Sequence, residues 1–354
     1  MVIAHVTNGL EGFGLSPEIF GRSSDGTIRG SHLAAFGVTI FFALSGFLIT
    51  YLLIIEAETS RINIRNFYVR RVLRIFPLYF LYLFLVLLVL RVADISYRES
   101  SLFYYFFFAA NVPYAILTAI PFLEHYWSLG VEEQFYAFYP WIVANTSRLF
   151  RTLGLITIGL IALKVILRLV EIRYGLSTPY DIAFLTRFQC MLIGAMGAVL
   201  FHRQSGVLIS LATNKLVQII SWGCILLCAF NSFHVLSIFD HELMSVIAVC
   251  IVVSQATGGN LVLNLERPLF DFLGKISYGI YVLHPLVIYG LSFVLRPISS
   301  GVIKYLVVYG AALIGTILVA WVSYTFFEKR FLRLKLKYST VRSYSSREEM
   351  ISSP

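Results

Sequence analysis

Charged residues are scarce in this chain. They make up 13% of its 354 residues, whereas hydrophobic residues make up 58% and the mean hydropathy is +0.80. Soluble domains carry roughly 25% charged residues, so a chain this poor in charge could not cover a surface that faces water. The composition therefore excludes a set of soluble domains and predicts a polytopic membrane protein.

Cysteine is also scarce, and its placement excludes a disulfide framework. Cys190, Cys224, Cys228 and Cys250 all lie in apolar segments. No histidine or carboxylate stands near Cys224 and Cys228 at the spacing of metal ligands. We therefore expect these cysteines to be small packing residues, and we expect no metal site.

What the chain has instead is a series of long apolar runs. A membrane-crossing helix needs about 20 mainly apolar residues. Such runs occur at 33–54, 75–93, 130–147, 153–171, 186–201, 216–232, 242–257, 276–295 and 303–327. In lipid, each segment must satisfy its own backbone polar groups, which favours helices. No basic region of a signal peptide opens the chain, and residues 1–6 look like the end of a further apolar segment.

These runs predict an all-α fold, a polytopic transmembrane helix bundle of about ten spans with the first one truncated at its N-terminus. The membrane domain would cover residues 1–334. Residues 102–112 are apolar but short, so we expect an interfacial or re-entrant piece there. The polar, serine-rich tail 335–354 is predicted to be disordered and cytoplasmic.

Basic residues predict the orientation. One group follows the first full run and another follows the last: Arg61, Arg65, Arg70, Arg71, Arg74, Lys329, Arg330, Arg333, Lys335 and Lys337. Because Lys and Arg are retained in cytoplasmic loops, we expect a multi-pass inner-membrane protein with a cytoplasmic C-terminus. Residues 10–32 and 94–128 would face outside. The same retention accounts for the net charge of +9 without a nucleic-acid partner.

Two arginines precede the second full run in the segment NFYVRRVLRIFPLY. Arg71 and Arg74 are three residues apart, so they share a helix face. Guanidinium groups bind phosphate oxygens with paired, permanently charged donors, so this face could hold the phosphates of a nucleotide-bearing donor. Contact with lipid headgroups is an equally good interpretation of the spacing alone.

Two adjacent carboxylates lie in the segment HYWSLGVEEQFYAFYPW. Glu132 and Glu133 diverge by about 100° on a helix, so at most one of them faces a given pocket. Ionisable groups at membrane depth are expensive and usually functional. The alternative is an interfacial carboxylate near a helix N-terminus, with Trp127, Tyr136 and Tyr139 as membrane-belt aromatics.

Other polar or small residues in the spans have a structural interpretation that competes with a functional one. His284 precedes Pro285, which frees a backbone carbonyl that either His284 or Tyr281 could satisfy. His5 lies in an apolar segment, where packing is the usual role, although imidazole is well suited to take a proton from a hydroxyl near neutral pH. Packing is likewise favoured for the small residues of GVTIFFALSGFLIT. We assign no role to the intramembrane cations Lys164, Arg168 and Arg187.

The order of these segments resembles the acyltransferase 3 family of membrane O-acyltransferases. The resemblance rests on GVTIFFALSGFLIT, FYVRRVLRIFPLY, WSLGVEEQFY, ISYGIYVLHPLV and FFEKRFLRL, which extend from about residue 37 to residue 334. With His5, the similarity covers nearly the whole chain. It implies transfer of an acyl group, often acetyl, from acyl-coenzyme A to a hydroxyl of a carbohydrate or envelope glycan. Acyl-CoA would be a co-substrate, and no cofactor would be tightly bound.

The resemblance also implies roles for single residues. Arg71 and Arg74, with Arg70 beside them, would contact the coenzyme A phosphates, and His5 would be the catalytic base. One of Glu132 and Glu133 would lie near the acceptor or the histidine. We count four residues as possible supporting groups of the site: Trp127, Ser128, Tyr136 and His284.

The chain departs from the family pattern in three places. The family's first-span motif begins with a basic residue at a position that would precede Met1 here. Thr39 stands where relatives often have Asp, and Arg330 stands where they often have Pro. A transporter or flippase of a lipid-linked sugar, or an inactive relative of the acyltransferases, would also fit the number of spans, although no internal symmetry of the transporter type is visible.

Overall fold

The computed structural model describes residues 1–19, 21–22, 26–298 and 301–338, apart from the side chain of His32. Within this part of the chain the regular structure is helical, and strand pairing is limited to one isolated bridge between Arg22 and Ile28. The helices are α1 (Val2–Asn8), α2 (His32–Thr59), α3 (Ile64–Val92), α4 (Leu102–Phe106), α5 (Asn111–Ala115), α6 (Tyr126–Asn145), α7 (Leu149–Tyr174), α8 (Ser177–Thr186), α9 (Phe188–His202), α10 (Gly206–Thr213), α11 (Lys215–Ala229), α12 (Asp240–Thr257), α13 (Pro268–Leu295), α14 (Val302–Ser323) and α15 (Lys329–Leu336). The predicted all-α class is confirmed.

The described residues contain 7 helical stretches that are long and apolar enough to cross a membrane, or up to 8 if the bent pair α10–α11 is one span. They are α2, α3, α7, α8–α9, α12, α13 and α14–α15. The expected count of about ten is not confirmed. At the predicted run 130–147, helix α6 has the length of a span. Its Glu132, Glu133 and Gln134 lower its mean hydropathy, and it is not among these stretches. Helix α1 has only 7 residues.

Two predicted segments without a full span can be compared with the structure. Residues 102–112 contain the short helix α4 and the start of α5 instead of a crossing helix. The predicted tail 335–354 begins inside the last turn of α15, which ends at Leu336. Residues 339–354 lie outside the described residues.

Helices α2 and α9 form the centre of the bundle and approach each other at two glycines. A Cβ added to Gly46 would lie 1.9 Å from the Met191 carbonyl oxygen, and one added to Gly194 would lie 1.9 Å from the Ala43 oxygen. Only glycine permits this backbone contact, which is the usual function of small residues between membrane helices. Packing is therefore confirmed for Gly46, whereas nothing lies within 4 Å of such a Cβ at Gly37.

We expect Gly46→Ala to lower the free energy of unfolding by about 1–3 kcal/mol, because the two backbones must move apart to admit the methyl group. Gly159→Ala on α7 is the matched control, since its added Cβ meets open space. There the loss of a helical glycine should stabilise by about 0.5–1 kcal/mol. Thermal unfolding of both purified variants in detergent checks the prediction. An equal response of the two variants would contradict it.

A buried ion pair ties α7 to α12. Lys164 donates to Glu242, whose Oε1 also accepts a hydrogen bond of 2.9 Å from Gln189 on α9. Arg168 has a different role, because it pairs with Glu171 on its own helix at a more exposed position. Lys164, which the sequence left without a role, is therefore part of the internal packing of the bundle.

Arg187 stands at the break between α8 and α9 in a left-handed conformation with φ of 41°. Its buried guanidinium donates to the Ala35 carbonyl at 3.2 Å and to the Thr39 hydroxyl at 3.0 Å on α2. Its Nε donates to the Phe184 carbonyl at 2.9 Å. Broken helices are tolerated in a membrane where neighbouring groups satisfy the freed backbone, and here the side chain at the break does so.

Candidate functional site

Arg71 and Arg74 lie together on the first half of α3, as their spacing predicts. The guanidinium carbon of Arg71 is 3.8 Å from the centre of the Tyr136 ring, a distance at which a cation is attracted to an aromatic face. Arg71 is partly buried and Arg74 is exposed. Among the described residues, neither has a carboxylate within ion-pair distance. Neither guanidinium is therefore held by an ion pair in this part of the chain.

Arg70 behaves differently from the other two arginines. It forms an ion pair of 2.9 Å with Glu56 of α2, and it also donates to the Tyr338 carbonyl at 2.8 Å. Glu56 in turn accepts from the backbone N–H of Asn63 at 3.0 Å. These contacts join α2, the start of α3 and the residues after α15. They give Arg70 a structural function in the described state.

The two carboxylates of α6 have different surroundings. Glu132 is 4% exposed and accepts hydrogen bonds from Ser45 at 2.8 Å and from Tyr136 at 2.5 Å. The Oε1 atom of Glu133 is buried and has no hydrogen-bond partner in the described part of the chain. The two side chains diverge as the helical rotation requires.

The interpretation of this segment as a membrane belt is wrong. Trp127, Tyr136 and Tyr139 are 7%, 2% and 0% exposed, so they face the interior of the bundle and not the lipid headgroups. Belt aromatics would keep one edge at the membrane surface. One face of helix α6 is therefore buried, and the polar and aromatic residues of that face contact other helices.

Three histidines from distant parts of the sequence meet near the start of α6. The rings of His5 on α1 and His284 on α13 have centres 4.7 Å apart, and His125 lies 5.1 Å from His284. His5 is partly buried, whereas His125 and His284 are 3% and 0% exposed. The sequence singled out His5 and His284 separately, and the structure brings them together. His125 was not predicted.

The beginning of α6 also contacts α13 through hydroxyl groups. Ser128 hydrogen-bonds to the Tyr281 hydroxyl, and its own hydroxyl lies 3.2 Å from the His125 carbonyl oxygen. The Trp127 ring stacks on Tyr114 with centres 5.7 Å apart, and the guanidinium of Arg187 lies 5.3 Å from the Trp127 ring. Trp127 and Ser128 therefore anchor α6 beside the histidine cluster.

Buried polar atoms without a partner are concentrated at this place. Among the described residues they belong to His125 (both ring nitrogens), Glu133, His284, Glu242 and Thr316. Native structures leave few such atoms unsatisfied, and each one calls for an explanation. Three of the six lie in the histidine cluster, on His125 and His284. This concentration is typical of a site that a polar substrate completes.

The distance between the arginines and the histidines can be estimated along α3. Arg74 precedes Tyr82 by eight residues, which corresponds to about 12 Å on a helix. The Tyr82 ring centre is 5.8 Å from that of His125. The two parts of the candidate site therefore lie at different depths, and a ligand that reaches both must be long and extended.

A surface groove of about 560 Å³ next to α3 does not belong to this site. Its lining includes Arg65, Tyr68, Val72 and Trp141. Val72 and Trp141 are 42% and 53% exposed, so the groove opens to the outside of the bundle. Neither the Arg71–Arg74 pair nor the histidine cluster contributes to it.

Metal ligands do not assemble in the described residues. No group of three or more His, Cys, Asp or Glu side chains there has a geometry that could hold a metal ion, and this includes the histidine cluster. All four cysteines are free, with Cys190 and Cys228 buried. The burial of Cys190 and Cys228 agrees with the predicted packing role.

A model of the acyltransferase domain family matches residues 1–325 of the chain. The chain belongs to this family. The acyltransferase is therefore a membrane member of the O-acyltransferases, as the resemblance of its motifs implied. No solved structure matches it.

Curated relatives carry names that agree with the family. "Putative O-acetyltransferase SAR0937" of Staphylococcus aureus strain MRSA252 is 29% identical over 332 residues, covering 87% of this chain and 54% of the relative. "O-acetyltransferase OatA" of Staphylococcus aureus strain NCTC 8325 is 27% identical over 328 residues, covering 82% of this chain and 51% of the relative. The acyltransferase thus spans about half the length of the curated relatives it matches.

Proposed function

We propose that the acyltransferase transfers an acetyl group from acetyl-coenzyme A to a hydroxyl of a carbohydrate or envelope glycan. The observation that carries the proposal is the pairing of two arginines without a carboxylate partner and a buried histidine cluster, about 12 Å apart along α3. A nucleotide donor with a long arm fits this separation, because its phosphates can bind at one end while its thioester reaches the other. The names of the relatives support a hydroxyl as the acceptor.

The proposed reaction is a direct transfer. His5 takes the proton of the acceptor hydroxyl while the oxygen attacks the thioester carbonyl carbon. The carbon–sulfur bond then breaks, and the proton on His5 passes to the thiolate of coenzyme A. Glu133 or Glu132 would lie near the acceptor or the histidine. The donor would enter from the cytoplasmic side, where the orientation predicted from the basic residues places Arg71 and Arg74.

The first experiment measures the function itself. Membranes containing the acyltransferase are supplied with acetyl-coenzyme A labelled in the acetyl group, and the label is followed into the glycan fraction. We expect label that mild alkali releases, as it does from an ester. Label that stays in acetyl-coenzyme A, with no transfer and no hydrolysis, would contradict the proposed donor.

A second experiment tests the phosphate contacts. Arg74→Gln should raise the KM for acetyl-coenzyme A roughly 10- to 100-fold with little change in kcat, because a lost charge-assisted hydrogen bond is worth about 1.5–3 kcal/mol. Arg65→Gln is the matched control: it lies on the same helix, but it lines the outward-facing groove.

The short donor S-acetylpantetheine lacks the nucleotide and its phosphates. It therefore distinguishes a lost phosphate contact from any other effect of Arg74→Gln on activity. The wild-type protein and Arg74→Gln should use it equally well, since neither can make the phosphate contact. If Arg74→Gln loses as much activity with the short donor as with acetyl-coenzyme A, Arg74 does not bind the phosphates.

A further inference from the structure

The tautomer of His284 is fixed by the proline that follows it. Pro285 has no backbone N–H, so the carbonyl four residues earlier, that of Tyr281, loses its helical partner. The Nδ1 atom of His284 lies 2.8 Å from this oxygen. A carbonyl oxygen can only accept a hydrogen bond, so Nδ1 must carry the proton. In the neutral ring, Nε2 is then an acceptor with a free lone pair.

This Nε2 atom accepts no hydrogen bond in the described part of the chain. It is buried and without a hydrogen-bond partner. Leaving an acceptor buried and unsatisfied costs about 1–3 kcal/mol. The neighbouring rings are His5, edge-to-face at 4.7 Å between centres, and His125 at 5.1 Å. Of these, His5 is the nearer ring.

His5 and His284 differ in their access to a substrate. His5 is partly buried, whereas His284 is completely buried. A ligand that enters the bundle therefore reaches His5 first. Within the described residues, the histidines with a carboxylate partner are His202 and His234, which lie outside this cluster. An orienting group for His5 must then be an uncharged acceptor.

We propose that His284 is a positioning residue for His5 in the substrate-bound site. A rotation of the His5 ring there lets Nε2 of His284 accept the N–H of one His5 nitrogen, so that the other His5 nitrogen keeps its lone pair toward the acceptor hydroxyl. This inference rests on the proposed function. In the transfer step, the hydroxyl proton goes to His5 and then to the coenzyme A sulfur, while His284 keeps its own proton on Nδ1. In many enzymes a third group forms a hydrogen bond with the catalytic histidine and so orients it as a base. Here the orienting chain ends at a backbone carbonyl that a proline has freed.

Two variants of His284 separate positioning from packing. In His284→Asn the short amide can still donate to the Tyr281 carbonyl, but no acceptor remains at the place of Nε2. In His284→Gln the longer side chain can bring its amide oxygen to that place. We expect His284→Asn to lower kcat about 10- to 100-fold with an unchanged KM for acetyl-coenzyme A, and His284→Gln to recover most of the loss.

A second readout does not depend on acetyl transfer. Diethyl pyrocarbonate modifies the unprotonated nitrogen of histidine, and mass spectrometry can report its rate at His5. The partly exposed His202 is the internal reference. His5 should react more slowly in His284→Asn than in the wild-type protein, and His284→Gln should restore the rate. If the wild-type protein transfers no acetyl group, the proposed function fails while this comparison still tests the coupling of the rings. Wild-type values of kcat and His5 reactivity in His284→Asn, or equal losses in both variants, would overturn the inference.

Discussion

His5→Ala should lower kcat for acetyl transfer about 10²- to 10⁴-fold, which is the usual contribution of a general base. The KM for acetyl-coenzyme A should stay near the wild-type value, because the proposed contact of Arg74 lies about 12 Å along α3 from Tyr82, the residue of that helix that adjoins the histidine cluster. His5 is a partly buried residue on the short helix α1, so its loss should leave the bundle intact. The measurement is steady-state kinetics with purified protein, together with its unfolding temperature.

A matched histidine gives the control for this experiment. His202 at the end of α9 pairs with Glu58 at 2.8 Å, far along the bundle from the cluster. His202→Ala should change kcat less than about twofold, because an exposed pair contributes little. Undiminished turnover in His5→Ala would exclude His5 as the base. His125 would then be the next residue to test, since both of its ring nitrogens are unpartnered.

The second large effect concerns stability. Lys164→Met should lower the free energy of unfolding by about 3–5 kcal/mol, because it leaves Glu242 as a buried charge without a cation. Glu242 already has one carboxylate oxygen without a hydrogen-bond partner among the described residues. Thermal unfolding in detergent and the amount of folded protein in membranes both report the loss.

The double variant Lys164→Met/Glu242→Gln tests whether charge is the cause. It removes both charges, and the new amide oxygen can still accept from Gln189, so most of the stability should return. Arg168→Met is the surface control, since the Arg168 side chain is 44% exposed in its pair with Glu171, and it should cost at most about 1 kcal/mol. If the double variant is as unstable as Lys164→Met, lost packing and not an uncompensated charge explains the effect.

Much of the candidate site could be predicted from the sequence, because its residues stand in short segments with strong local signals. The spacing of Arg71 and Arg74 fixed their common face, and the structure places them together as expected. Pro285 after His284 predicted a freed carbonyl and a histidine that could satisfy it, and the hydrogen bond to the Tyr281 carbonyl confirms this. The catalytic and binding roles of these residues stay predictions until the variants are measured.

Other parts of the site could not be predicted because they depend on how the helices are rotated against each other. Local periodicity shows that Glu132 and Glu133 diverge, but it does not show which one meets Ser45 of α2. Arg70 follows the same pattern of basic residues as Arg71, yet only the approach of α2 gives it Glu56 as a partner. The membrane-belt interpretation of Tyr136 and Tyr139 failed for the same reason, since both side chains lie on the face of α6 that packs against other helices.

The sequence by itself determined that this protein is a helical membrane acyltransferase, because composition, apolar run length and motif order are properties of the chain that need no partner. Only the tertiary structure decided that His125 joins His5 and His284. These residues come from α1, the start of α6 and α13, and no local pattern connects positions so far apart. Their meeting depends on side-chain packing between helices, which sets the rotation and depth of each helix in the bundle.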